Sequence, residues 1–188
     1  VDPDLLLLMA KNERLMPHLH LSVQSGDDMI LRRMRRRHTR GQVIDLVRAV
    51  RALRPDVTLG TDLIAGFPTE TEDMFENTRS LIDEADITFV HVFPYSPRPG
   101  TPAANMPAVS AVICKKRALL LREAGIVRRE ALLDRSLGER AHVLTETGDM
   151  GHTAHFIPMR LDKHVSAGTL VAATVTGHKD GILMGECL

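Results

Sequence analysis

Apolar residues recur along this chain with two different periods. Val43, Ile44, Leu46, Val47, Val50 and Leu53 fall three and four apart, the spacing of one face of an α-helix. That stripe must stop before Pro55, because the residue preceding a proline is driven out of helical geometry. Met74, Phe75, Leu81 and Ile82 form a second stripe, which Thr69 and Glu72 open with the spacing of a capping box. Leu5, Leu6, Leu8 and Met9 predict a short amphipathic helix ending before Pro17, with Asp2 as N-cap and Pro3 at the first helical position. Met29, Ile30 and Met34 suit a brief helix, and Ser110 to about Asp134 a long one with a Leu119-Leu120-Leu121 ridge. Between the helices lie short strand-like runs: Leu19 to Val23, alternating with His20 and Ser22, then Val57 to Ile64 and Ile87 to Phe93.

Strand, helix, strand, helix, strand at this spacing predicts right-handed crossover units and a parallel sheet. Three units fall well short of a full eight-unit barrel of about 250 residues, so the expected architecture is part of a parallel β/α barrel. A loop with five prolines follows between Pro94 and Pro107. From about Leu137 the texture changes. Ala141 to Leu144, Phe156 to Met159, Leu170 to Val175 and Ile182 to Met184 alternate with glycines, which predicts a small antiparallel β-barrel. The expected class is α/β, with one domain over residues 1–136 and the small barrel over 137–188.

Composition narrows the setting. A chain of 188 residues, 44% hydrophobic, can bury a real core. Its longest apolar stretch, Leu5 to Ala10, is too short to span a bilayer, and it opens without signal-peptide character, which predicts a cytoplasmic protein. Cys114 and Cys187 stand far apart and read as two reduced thiols rather than a disulfide or metal site. The chain opens without Met and as if in mid-domain, so the expectation is a piece of a longer protein.

In a parallel β/α barrel, chemistry gathers at the C-terminal ends of the strands. That rule selects Gln24-Ser25-Gly26, Asp62 to Pro68 and Pro94-Tyr95-Ser96, which together offer an amide, a carboxylate and a phenol suited to a polar, nucleoside-like ligand. Gln24 serves equally as a turn cap. Asp62 lies inside an apolar strand, where an unpaired carboxylate is costly, so it needs a partner or a ligand. Six arginines (Arg32, Arg33, Arg35, Arg36, Arg37 and Arg40) occupy nine consecutive positions with no acidic neighbour. They fit a solvated surface, a phosphate-bearing partner such as RNA, or a ligand carboxylate. His152 and His155 lack a third ligand at metal spacing and read as solvated or core-edge histidines.

Four stretches in order resemble the methylthiotransferase family of radical S-adenosylmethionine enzymes. His20-Leu21-Ser22-Val23-Gln24-Ser25-Gly26 is similar to the family's H-L-P-L-Q-S-G, with Ser22 in place of proline. Leu31 to Arg37 with His38 and Thr39 is similar to L-x-x-M-x-R-x-Y-T. Asp62 to Thr71 resembles D-I-I-V-G-F-P-G-E-T, with Thr69 replacing a glycine, and His91 to Ala103 carries the most specific match. The H-V-F before P-Y-S and the R-R-H after the short helix resemble the branch acting on threonylcarbamoyladenosine.

The resemblance implies an enzyme that adds a methylthio group to carbon 2 of a modified adenosine beside the tRNA anticodon. Its cofactors are S-adenosylmethionine and [4Fe-4S] clusters, whose C-x-x-x-C-x-x-C ligands are not in this sequence. No catalytic or metal-binding residue is therefore assigned to this chain, which alone is expected to be inactive. By the same resemblance, Gln24, Arg36 and Asp62 contact S-adenosylmethionine, Arg36 at its carboxylate. Tyr95, Arg98 and Thr101 lie on a loop facing the substrate. Residues 137–188 resemble the RNA-binding barrel called TRAM, although four Lys or Arg against six Asp or Glu give them a net charge of −2. The competing readings are another radical S-adenosylmethionine enzyme and a non-catalytic RNA-binding module.

Overall fold

A computed structural model describes residues 2–188; Val1, at the head of the predicted first helix, lies outside the described residues. Each described α-helix begins where a short polar side chain can satisfy free backbone N–H groups. Asp2 accepts from the Asp4 N–H to open α1 (Pro3–Lys11). Asp27 accepts from Met29 and Ile30 to open α2 (Asp28–Arg33). Thr39 and Gln42 form a reciprocal capping box at α3 (Arg40–Leu53), which stops ahead of Pro55 as expected. At α4 (Glu72–Glu84) the expected pair of Thr69 and Glu72 is replaced by Thr71, whose hydroxyl accepts from Met74. Thr69 instead takes a left-handed backbone, φ 67°, outside the helix. Ser110 caps α5 (Ala111–Arg135).

Strands β1 (His18–Gln24), β2 (Thr58–Ala65) and β3 (Phe89–Pro94) form a parallel sheet in the order β1-β2-β3. The alternation of each strand sends two sets of side chains to opposite faces. Leu19, Leu21, Val23, Leu59, Leu63, Ala65 and Val92 join Val43, Val47, Phe75, Leu81, Ile82, Ala118 and Leu121 from the helices in one core. Helix α5 contributes Leu121, fully buried, but Leu119 is 54% exposed, so the leucine ridge is split between core and solvent. The other face carries His18, His20, Asp62, Phe89 and His91; Arg129 of α5 reaches over the Phe89 ring at 5.6 Å, while His20 and His91 stay exposed.

After α5 come β4 (Arg140–Thr147), β5 (Met150–Thr153), β6 (Pro158–Leu161), β7 (Leu170–Lys179) and β8 (Ile182–Cys187), closed in the order β4-β5-β6-β8-β7. Four of its seams are antiparallel, whereas β6 and β8 run parallel. The barrel has its own core around Leu133, Val143, Met159, Ala173, Val175 and Leu183. Phe156, expected to begin a strand, instead turns the chain with φ 63° and stays exposed.

The barrel is seated against the sheet. His178 meets Asp134 at 2.9 Å and Glu130 at 3.5 Å on α5, and Arg129 donates to the Gly181 carbonyl at 2.7 Å. At the N-terminal end of the sheet, Thr58 Oγ1 donates to the His155 carbonyl at 2.9 Å and the His155 ring meets Asp56 at 3.3 Å.

Candidate active-site face

The exposed face of the sheet is polar because glycine leaves room for it. A Cβ at Gly60 would stand 2.6 Å from His20 Nδ1, so the His20 ring lies over the central strand only while residue 60 has no side chain; His18 Cε1, at 3.5 Å, would be in ordinary contact. Asp62, two residues on, carries its carboxylate to 3.2 Å from His20 Nε2. The partner that burial demanded of Asp62 is therefore a histidine, and the carboxylate remains 30% exposed because the face is open. His91 is the register neighbour of Asp62 on β3, and its ring lies 5.4 Å from that of His20. One row of the face thus holds His20, Asp62 and His91, able to donate to, accept from or exchange protons with a ligand.

Towards the C-terminal rim the character changes. Ile64 and Phe93 are register partners in the next row, and Phe93 is 52% exposed. Gln24 ends β1 beside Leu63 and takes a left-handed backbone, φ 74°. Gln24 and Asp62 therefore lie on neighbouring strands, Gln24 pairing with the residue that follows Asp62. Tyr95 follows β3 with its N–H bonded to the Ala65 carbonyl, its ring edge-on to Phe67 at 5.3 Å and its hydroxyl buried without a protein partner among the described residues. Arg98 and Thr101 form one exposed turn, in which the Thr101 hydroxyl donates to the Arg98 carbonyl at 2.8 Å. Arg36 is exposed on the loop between α2 and α3, without a side-chain contact to Gln24 or Asp62 among the described residues.

The loop that closes β2 is pinned from beneath. Gly66 has φ 75°, and a Cβ there would fall 2.2 Å from Cys114 Sγ. Its N–H donates to Glu70 Oε2 at 3.0 Å, and Arg117 of α5 donates to the same oxygen at 2.9 Å and to the Glu70 carbonyl at 3.0 Å. Burial pushes the Glu70 carboxyl up, against the opposing pull of Gly66 and Arg117. Since both side chains are almost wholly buried and share two bonds, this is a structural ion pair and not a spare acid.

At the opposite end of the face, Phe156 of the barrel stacks on His18 at 5.0 Å and on His152 at 5.1 Å, with Phe89 edge-on to both Phe156 and His18. Burial, then the nearby His20 and His155, hold the His18 imidazole below its usual range. His152 is fixed to Glu146 at 2.9 Å. Histidines that look like bystanders in the sequence thus form the joint between barrel and sheet. Their parity on β1 and β3 is visible in the chain itself, but the register that aligns His91 with Asp62 is not.

A groove of about 460 Å³ lined by Leu21, Val23, His38 and Val43 runs along the free edge of β1. Its Leu21, Val23 and Val43 belong to the helix-side core, on the opposite face of the sheet from the His20–Asp62–His91 row. An iron–sulfur cluster does not fit the residues present. Among the described residues no group of three or more potential ligands converges on a metal position. Cys114 is buried with its thiol towards the Gly66 and Val109 carbonyls, and burial raises its pKa. S-adenosylmethionine, with its hydroxyls, amine and carboxylate, does fit the donors and acceptors of Gln24, Asp62 and the two histidines. No described helix is long and apolar enough to cross a membrane.

Comparison with known proteins agrees with this chemistry. The family model described as the radical SAM superfamily matches residues 1–82. The chain is 50% identical over 183 residues to the threonylcarbamoyladenosine tRNA methylthiotransferase MtaB of Rickettsia prowazekii, covering 97% of this chain and 44% of the relative. It is 38% identical over 192 residues to a tRNA-2-methylthio-N(6)-dimethylallyladenosine synthase of Cereibacter sphaeroides, covering 98% and 44% respectively. A second MtaB, from Aquifex aeolicus, is 33% identical over 176 residues, covering 93% and 43%. The chain thus spans less than half the length of these curated relatives. With its parallel sheet, closed barrel and motif order, the chain belongs to the radical S-adenosylmethionine tRNA methylthiotransferase family.

Proposed function

We propose that this chain takes part in adding a methylthio group to carbon 2 of N6-threonylcarbamoyladenosine beside the anticodon of cytoplasmic tRNA. The observation that carries the reading is the open row of His20, Asp62 and His91 at the centre of the sheet, in a chain 50% identical to a threonylcarbamoyladenosine tRNA methylthiotransferase. In this reading residues 1–136 form the catalytic part and residues 137–188 a TRAM-like RNA-binding barrel. Gln24 and Asp62 hold the hydroxyls or amino group of S-adenosylmethionine, and Arg36 its carboxylate. When bound, that cofactor and an iron–sulfur cluster held outside these residues supply the radical chemistry. Tyr95, Arg98 and Thr101 border the substrate side.

A second reading, the dimethylallyl-bearing adenosine, is favoured by Ile64 and Phe93, an apolar pair on the same face. One experiment separates the two. The full-length protein to which this chain belongs is expressed in cells deleted for both methylthiolation activities, and tRNA nucleosides are resolved by mass spectrometry. The threonylcarbamoyl product is expected. The dimethylallyl product alone would move the chain to the other branch, and neither product would overturn the reading.

A further inference from the structure

Two of the six clustered arginines and the neighbouring histidine are spent on holding their own loop. Arg33 Nη1 donates to Thr69 Oγ1 at 2.6 Å, which ties the end of α2 to the loop closing β2. The His38 ring meets the Val23 carbonyl at 3.0 Å on the free edge of β1. Arg40 donates to the Gly26 and Asn77 carbonyls, to Ser80 Oγ at 3.1 Å and to Glu84 at 2.6 Å. The segment between Arg33 and Arg40 is thereby anchored at both ends to the C-terminal rim of the sheet, next to Gln24.

Arg32 on the last turn of α2, and Arg35 and Arg37 on that anchored segment, are exposed, as is Arg36, which the reading above gives to the cofactor. None of Arg32, Arg35 and Arg37 is within ion-pairing distance of a carboxylate among the described residues, where Arg48, Arg51, Arg79 and Arg117 all are. The acids nearest in sequence are occupied: Asp27 caps α2 and accepts from Asn77, and Asp28 accepts from the Arg40 N–H. Arg35 also holds φ 56°, a backbone state that costs a branched or long residue free energy and is retained only where the surroundings impose it. The result is three arginines on an anchored stretch of backbone beside the C-terminal rim, with no carboxylate partner among the described residues.

We propose that Arg32, Arg35 and Arg37 are a docking surface for RNA phosphates, which carries the backbone of a nucleic-acid loop over the rim while the base to be modified enters the His20–Asp62–His91 face. This rests on the tRNA-modifying reading above and adds the place where the RNA backbone is gripped. It also assigns RNA binding to the sheet domain, which relieves the net-negative barrel of carrying it alone.

The test is the salt dependence of binding between the 188-residue chain and a synthetic RNA hairpin of anticodon stem–loop type. Every phosphate that a guanidinium neutralises contributes about 0.7–0.9 to the slope of log K against log salt. The Arg32→Ala, Arg35→Ala, Arg37→Ala triple variant is expected to reduce the slope by about 2, while the corresponding triple lysine variant keeps the wild-type slope. Arg48→Ala, on the outer face of α3, is expected to leave the slope unchanged. Circular dichroism verifies that each variant is folded. An unchanged slope in the alanine variant, or a wild-type slope near zero, overturns the proposal. Neither outcome bears on the nucleoside product, which alone decides the reaction.

Discussion

Phe156 stacks on His18 with ring centroids 5.0 Å apart, joining a turn of the small barrel to the first residue of β1. Phe156 holds φ 63°, where an L side chain is strained, and it remains 54% exposed. Burial of apolar area is therefore a small part of its role; contact with His18, His152 and Phe89 is the larger part. Phe156→Ala is expected to destabilise the chain by about 1 kcal/mol, the worth of an aromatic contact. The effect is read as a lower urea midpoint, with faster hydrogen exchange at the start of β1 than in the barrel core. Unchanged exchange at β1 would show that the stack does not join the two parts.

The same joint gives the chain a pH dependence. The His18 pKa is lowered in the folded state, so the unfolded chain binds more protons as the pH falls below about 6.5. Stability is accordingly expected to decline as pH drops through that value, until the folded-state pKa is also passed. His20, His155 and Asp56 share the joint, and a proton on either neighbouring histidine increases the cost of charging His18. Urea midpoints between about pH 7.5 and 5.5 test this, and His18→Gln is expected to flatten the curve.

Beneath the rim, Glu70 and Arg117 form a buried pair at 2.9 Å. Glu70→Ala leaves the Arg117 guanidinium buried beside only the exposed Glu72, and frees the Gly66 N–H. A cost of about 3–5 kcal/mol is expected from the uncompensated charge. Chemical denaturation checks it. A change under about 1 kcal/mol would mean that water replaces the carboxylate.

Much of this arrangement is legible in the sequence, and what escapes does so for physical reasons. Caps at Asp2 and Ser110 and the stop before Pro55 follow from local backbone chemistry, so neighbouring residues alone reveal them. The strand β5, Met150–Thr153, leaves little hydrophobic signal, because its four residues include one large apolar side chain and cross-strand pairing stabilises it instead. Phe156 resembles a strand residue because an apolar side chain beside Ile157 looks buried, and a left-handed φ leaves no mark in composition. The parallel seam between β6 and β8 follows from barrel closure, a long-range property. Gln24, Asp62 and Tyr95 emerge from the strand-end rule, whereas the histidines that accompany Asp62 depend on inter-strand register.

In the proposed function, S-adenosylmethionine binds on the exposed face of the sheet through Asp62, with Arg36 at its carboxylate. Calorimetric titration of the full-length protein to which this chain belongs with S-adenosylmethionine tests this without requiring turnover. Asp62→Ala is expected to weaken binding by about 1–3 kcal/mol, roughly 5- to 150-fold, through loss of a hydrogen bond to a charged acceptor. Arg36→Ala is expected to fall in the same range, and Arg48→Ala to bind as the wild type. Wild-type affinity in both the Asp62 and Arg36 variants, with the fold intact, would contradict the assignment of this face to the cofactor.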